Sequence, residues 1–439
     1  MNTRQLGLWM CTALVVGNMI GMGIFMQPAA LAPFGLNALT GWLAVIFGCA
    51  CLAIVFAALA RRLPQADGPF DYVRETLGEP VAFASLWCYW ISCWVTNAAL
   101  SVAVVGYFIT VFPATKSVPS ALLTVSFMWL FVAVNLFGVK SGGRVQVVTS
   151  LLKLVPLVLV IVLGGFAILT EPSAYTPNLP TTPIELHASM GAAIIALFAM
   201  LGFESAAVAA GRVKDPERTI PRATLIGTLF VAIIYVAIVA IGMLLVPQAT
   251  LAASDAPFVT ILDSLLGAGS ARWLALFVVI SGLGCLNGWT LLSGELTRTL
   301  ATRGLLPAVL GRNNRFGAPW AGLLLAGILA TFVGLMNYSA SLVAGFTFLS
   351  VVVTAANLPL YVCCVLAFFS LWRRDPGAHS PLMWLAGLGG LAFAVFAFIG
   401  AGKQPLLWAV ALALAGLPIY FWMRWRHPVP AIAGAAPLS

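Results

Sequence analysis

A chain of 439 residues that is 62% hydrophobic and only 8% charged, with mean hydropathy +1.04, lies far outside the composition of soluble domains. It excludes a soluble enzyme and points to an all-α, polytopic membrane protein, since a lipid-exposed backbone must satisfy its own hydrogen bonds. The formal net charge of +9 reads as decoration of an anionic leaflet, not as a nucleic-acid footprint.

The first apolar segment, 6–33, carries Gly17-Asn18-Met19-Ile20-Gly21-Met22-Gly23-Ile24-Phe25. Each glycine weakens helix propensity by about 1 kcal/mol against alanine and removes a side chain that would keep a ligand off the backbone. Unwound backbone survives in a bilayer only where it is buried in protein or lines a wet cavity. The stretch therefore predicts a broken helix, its second half turning a positive end toward a substrate carboxylate. A glycine-rich packing face is the alternative for this stretch taken alone. Segments long enough to span follow at 38–60, 80–111, 119–138, 145–169, 188–211, 223–247, 271–300, 319–337, 342–372, 381–401 and 404–425.

Twelve spans put both termini on one side. With that side cytoplasmic, 18 of the 22 lysines and arginines fall on inward loops and tails and three (Lys116, Arg272, Lys403) on outward ones, with Lys153 inside the fifth span. The positive-inside rule then sets the orientation. The N-terminus runs into the broken helix without a small-residue cleavage site, so no removable signal peptide is expected. All eight cysteines (Cys11, Cys49, Cys51, Cys88, Cys93, Cys285, Cys363, Cys364) sit in apolar runs as small hydrophobes, implying neither a disulfide framework nor a zinc site.

In the third span Tyr89, Ser92, Cys93, Thr96, Asn97 and Leu100 recur every three or four residues, a polar stripe that serves either a cavity or interhelical hydrogen bonds. Lys153 needs partners at membrane depth, and the unwound carbonyls of the first helix and hydroxyls of the eighth span are the candidates; a stem snorkelling to the interface is the competing reading. A second interruption, Leu201-Gly202-Phe203-Glu204-Ser205, lies five spans after the first. An odd-numbered repeat re-enters the membrane inverted, so residues 1–169 (spans one to five) and 188–372 (spans six to ten) are expected to form two inverted halves, with 381–425 as a peripheral pair and 426–439 as a tail. Glu204, a carboxylate near the bilayer centre, costs several kcal/mol unless paired or protonated, and reads as functional. Trp289 lies far from the interfacial belts and serves either packing or cation–π stacking on a substrate. Glu295, three residues before Arg298, reads as half of a structural ion pair. The three histidines (His187, His379, His427) lie in loops or tails and no ring of like charge is visible, which argues against a membrane enzyme and a channel.

Gly21-Met22-Gly23-Ile24-Phe25 resembles the first-helix signature of the amino acid–polyamine–organocation transporters, and Gly202 to Arg222 resembles their broken sixth helix and the basic loop after it. Cys93 to Ala99, Arg144 to Gln146 and Gly288 to Glu295 are similar to stretches of the family's arginine–agmatine exchangers, and the likeness covers essentially the whole chain. It implies twelve transmembrane helices in a 5+5 inverted-repeat fold with helices one and six broken and two peripheral helices. It also implies alternating-access, sodium-independent exchange of an arginine-like amino acid for its amine product, with no cofactor. The expected partners are an amino acid or amine, the lipid of the inner membrane and a second copy of the chain; both termini are expected in the cytoplasm. The resemblance puts substrate contacts at Met19, Gly21, Met22, Gly23, Ser92, Cys93, Asn97, Phe198, Leu201 and Trp289, and gates at Tyr89, Phe198, Glu204 and Trp289. Lys153 stands where the arginine–agmatine exchangers carry a small apolar residue but several permeases of the superfamily carry a lysine, and that likeness implies that its ammonium takes the place of the sodium ion of sodium-coupled relatives. Phe198 stands where those exchangers carry tryptophan and Met22 where they carry serine, which keeps a neutral amino-acid exchanger, exporter or proton-coupled permease as the alternative.

Overall fold

The computed structural model describes residues 7–63, 66, 68–138, 152–203, 216–336, 341–374 and 381–426, and among these all regular structure is helical. In chain order the helices are α1 (Leu8–Met19), α2 (Gly23–Leu31), α3 (Leu36–Arg62), α4 (Pro69–Leu77), α5 (Glu79–Val111), α6 (Ser120–Leu136), α7 (Leu154–Thr170), α8 (Leu186–Met200), α9 (Pro216–Leu245), α10 (Gln248–Ala252), α11 (Pro257–Leu266), α12 (Leu274–Thr302), α13 (Trp320–Met336), α14 (Leu342–Arg374), α15 (Pro381–Gly400), α16 (Lys403–Leu414) and α17 (Gly416–Arg426).

Among the described residues seven spans are long and apolar enough to cross a membrane: α3, α5, α9, α12, α14, α15 and the α16–α17 pair. The bent pair α1–α2 makes an eighth. Helices α6, α7 and α13, of 17 residues each, and α8, of 15, are shorter apolar helices. Residues 139–151 and 204–215, which adjoin α7 and α8, lie outside the described residues.

The 33-residue α5 stands at the centre, against α12 and α14 and flanked by α6 and α13. Its only proline, Pro80, falls in the first turn, where the missing N–H costs nothing. Without a hydrophobic driving force between helices in lipid, close approach comes from small residues. Gly41 shows this: a β-carbon there would lie 2.8 Å from the Ala193 nitrogen, so α3 meets α8 backbone to backbone. At one end of the bundle α4 buries Asp71, which accepts two hydrogen bonds from Arg303 at 2.8 and 3.2 Å and pairs with Arg74 at 3.2 Å. A buried carboxylate needs that compensation. Glu295 and Arg298 pair at 2.7 Å, as their three-residue spacing predicts.

Candidate functional site

The site is built on the break between α1 and α2. Helix α1 ends at Met19, Ile20 adopts an extended ψ of 92°, and α2 restarts at Gly23 after a bend of 51°. Neighbouring helices leave little room beside the glycines. A β-carbon on Gly21 would stand 3.1 Å from the Cys285 sulfur, and one on Gly23 would stand 3.2 Å from both the Ala199 Cα and the Phe198 ring. The end of α8 lies alongside: the helix stops at Met200, Leu201–Phe203 form a turn, and Gly202 has a left-handed φ of 106° that favours glycine, while Glu204 and Ser205 of the expected second interruption lie outside the described residues. A β-carbon on Gly202 would lie 3.2 Å from the Asn18 carbonyl oxygen, so this turn touches the end of α1.

A helix that stops inside a bilayer leaves orphan carbonyls. Two buried side chains take those of α1. The Lys153 ammonium donates to the Gly17 carbonyl at 2.6 Å, and the Tyr235 hydroxyl donates to the Met19 carbonyl at 2.9 Å. A cation at a helix C-terminus also meets the negative end of the dipole. Trp42 packs edge-on against Tyr235 at 5.8 Å and fixes that phenol. The first-helix carbonyl expected for Lys153 is thus its hydrogen-bond partner. The restart has the opposite character: α2 begins without a side-chain cap, so its first N–H groups form a positive end. Met22 sends its side chain toward α12, where a β-carbon on Gly282 would lie 2.9 Å from the Met22 sulfur, and this leaves backbone at the break. Higher in α2, the Phe25 carbonyl accepts from the Tyr107 hydroxyl at 2.7 Å, and Gln27 donates to the Ile195 carbonyl at 2.7 Å.

Asn18, Met19, Gly21, Met22, Gly23, Thr96, Leu100, Phe198, Ala199, Leu201, Cys285 and Trp289 line a cavity of about 20 Å3 at this junction. That is room for about one water. Of the residues expected to contact substrate, Met19, Gly21, Met22, Gly23, Phe198, Leu201 and Trp289 come together here. Ser92, Cys93 and Asn97 are buried on α5 outside this lining. Ser92 donates to the Tyr89 carbonyl at 2.7 Å, while the Asn97 amide donates to Ser293 at 3.1 Å and accepts from Thr290 at 3.3 Å. Asn97 thus ties α5 to α12, while the Ser92 bond stays within α5. Tyr89 is half-buried on α5, and Glu204 lies outside the described residues. Sequence reading passed over Cys285, Asn18 and Tyr235. Cys285 had a legible signal, since it precedes Trp289 by four residues and shares its helical face.

The interrupted α1–α2 span and the end of α8 meet at a cavity inside a bundle of apolar helices, and together with the match of the chain to a permease family model this marks a multi-pass membrane transporter and not an enzyme. A sequence model of the amino acid permease family matches residues 6–422, and the chain belongs to that family. It is 33% identical over 437 residues to the cadaverine/lysine antiporter of Escherichia coli K12, covering 97% of this chain and 96% of that protein. It is 31% identical over 359 residues to a putative arginine/ornithine antiporter of Bacillus subtilis, covering 75% and 76%. To the putrescine transporter PotE of Haemophilus influenzae it is 27% identical over 429 residues, covering 97% and 98%.

Proposed function

We propose that the chain is a sodium-independent, alternating-access antiporter that exchanges a cationic amino acid for its decarboxylated amine. The observation that carries the reading is the cavity at the α1–α2 break, which unwound backbone lines together with the aromatic side chains of Phe198 and Trp289. Unwound N–H groups at the start of a half-helix suit a carboxylate, and an aromatic face suits a cation at about 0.5–2 kcal/mol. A cavity of about 20 Å3 is too small for an amino acid, so loading requires Phe198, Trp289 or the half-helices to move apart. Lys153 on the Gly17 carbonyl supplies the positive charge that a sodium ion would otherwise bring to this joint.

In this reading Ser92, Cys93 and Asn97 approach the substrate in a more open state, and Tyr89 and Glu204 belong to the inner gate. The twelve spans form two inverted halves, 1–169 and 188–372, with the last two helices peripheral and both termini on the cytoplasmic side of the inner membrane. The cadaverine/lysine and arginine/ornithine antiporters among the relatives support a cationic substrate. A neutral amino-acid exchanger, exporter or proton-coupled permease is the second reading, favoured by the lack of an acidic side chain among the described residues lining the cavity. Proteoliposomes loaded with unlabelled lysine, arginine, cadaverine, agmatine or leucine, then challenged with labelled lysine and arginine, decide the matter. Uptake driven by internal amine and not by leucine is the expected outcome, and uptake driven only by leucine selects the second reading.

A further inference from the structure

A second pocket, of about 170 Å3 against about 20 Å3 for the central cavity, lies at the other end of α2. Helix α2 and the tight turn after it, Ala32–Phe34, finish there, and so does α9 at Leu245; Ala32 and Met243 are in its wall. Helix α2 is 9 residues long, which at about 1.5 Å per residue is about 14 Å, so one half-helix joins the two pockets. The orientation proposed above turns this one outward.

The chemistry of the wall suits a cation. The last carbonyls of a helix lack intrahelical partners and form the negative end of its dipole, and two such ends converge here. A side-chain amide takes one carbonyl from each end: Gln248 donates to Ala32 at 2.8 Å, and Asn178 donates to Leu244 at 3.1 Å. Those bonds fix both amides, because only the NH2 group can donate. The Gln248 Oε1 and Asn178 Oδ1 accept no hydrogen bond among the described residues, and both side chains line the pocket. Pro177, Pro180 and Pro247, also in the wall, have no N–H to offer an anion. The start of α10 at Gln248 works the other way, but with 5 residues its dipole is small. The connecting segments 171–185 and 246–256 carry Glu171, Glu185 and Asp255 and no lysine or arginine.

We propose that this pocket is an outer holding site for organic ammonium groups, in which the cationic amino acid or amine is bound before it enters the central cavity. The identity of the ligand rests on the exchange reading above. Neutral amide and carbonyl oxygens hold an ammonium without a formal ion pair, so the ligand can leave in either direction. The same half-helix then presents its negative end to the ammonium in the outer pocket and its positive end to the carboxylate in the central one.

The test measures KM for labelled cadaverine and L-lysine added outside right-side-out membrane vesicles preloaded with unlabelled lysine. Wild type, Gln248→Lys, Asn178→Lys, Gln248→Glu and Thr250→Lys are compared. Lysine at 248 or 178 keeps a donor for the helix carbonyl and replaces the oxygen by a positive charge, whereas glutamate keeps oxygen and adds a negative one. Thr250, exposed on α10 and absent from the pocket wall, controls for surface charge alone. KM is expected to rise roughly fivefold in Gln248→Lys and Asn178→Lys and to fall roughly threefold in Gln248→Glu, the size of effect that charges several Å apart exert near a protein surface. A folding defect does not produce opposite signs. An unchanged KM in both lysine variants, a KM that moves the same way in Gln248→Lys and Gln248→Glu, or an equal effect from Thr250→Lys overturns the holding site. Wild-type vesicles in which internal lysine drives no uptake of either cation overturn the exchange reading, and the proposal with it.

Discussion

The first span and the last of this chain both carry a glycine at a helix junction, and they come to opposite ends. At the α1–α2 break Ile20 leaves helical space, and the freed carbonyls of Gly17 and Met19 are taken by Lys153 and Tyr235. At the α16–α17 junction Ala415 keeps helical angles, its N–H still reaches the Ala411 carbonyl at 3.0 Å, and the α16–α17 span reads as one apolar helix. Gly416 is there for close packing: a β-carbon would lie 2.6 Å from the Trp87 ring, whose indole donates to the Leu412 carbonyl at 3.0 Å. Glycine permits a break and does not make one. The break forms where neighbouring helices supply partners for the orphan carbonyls, and only 17% of the most apolar stretch of α16–α17 is buried against 83% of that of α5.

The comparison is broken most severely by filling the first junction. Gly23→Leu drives side-chain atoms into Ala199 and Phe198, and overpacking of about 1–3 kcal/mol predicts loss of transport by at least tenfold. Proteoliposome flux measured on monodisperse protein checks it; flux near wild type would mean that the junction is looser than described. Trp289→Ala is expected to weaken substrate binding by about tenfold in calorimetry, since stacking contributes about 0.5–2 kcal/mol. Unaltered affinity in folded protein would leave Trp289 as a packing residue.

Lys153→Ala separates the roles of the break. With the ammonium gone the Gly17 carbonyl loses its partner, so turnover should slow by roughly tenfold while substrate Kd moves less than about threefold. Wild-type flux should not change when sodium is replaced by potassium or choline. Strict sodium dependence, or normal turnover in the alanine variant, removes Lys153 from the mechanism. The smallest effects belong to the second junction. Gly416→Ala should lower the melting temperature by about 2–4 °C and leave Kd alone, and Trp425→Ala, at a residue 80% exposed, should change neither. A transport defect from Gly416→Ala that matched Gly23→Leu would erase the distinction between the two junctions.

Much of the architecture was legible in one dimension. Hydropathy marks the spans because burying unpaired backbone in lipid is forbidden whatever the neighbours, and the clustered glycines at 17–23 and the Leu201–Phe203 turn are local features. The cost of an ammonium at membrane depth likewise announced that Lys153 needed a carbonyl, and the first broken helix was the nearest source. Tertiary structure alone decided which face meets which helix. The stripe on α5 names Thr96 and Asn97 equally, yet Thr96 lines the cavity while Asn97 turns to Ser293 and Thr290. The thiol of Cys285 reads as one more small hydrophobe until the fold sets it beside Gly21 in the cavity that Met22 and Trp289 also line, and Tyr235 gains its place only because α9 packs on α1. A helical period assigns a residue to a side of its own helix, whereas the group waiting on that side comes from segments tens to hundreds of residues away.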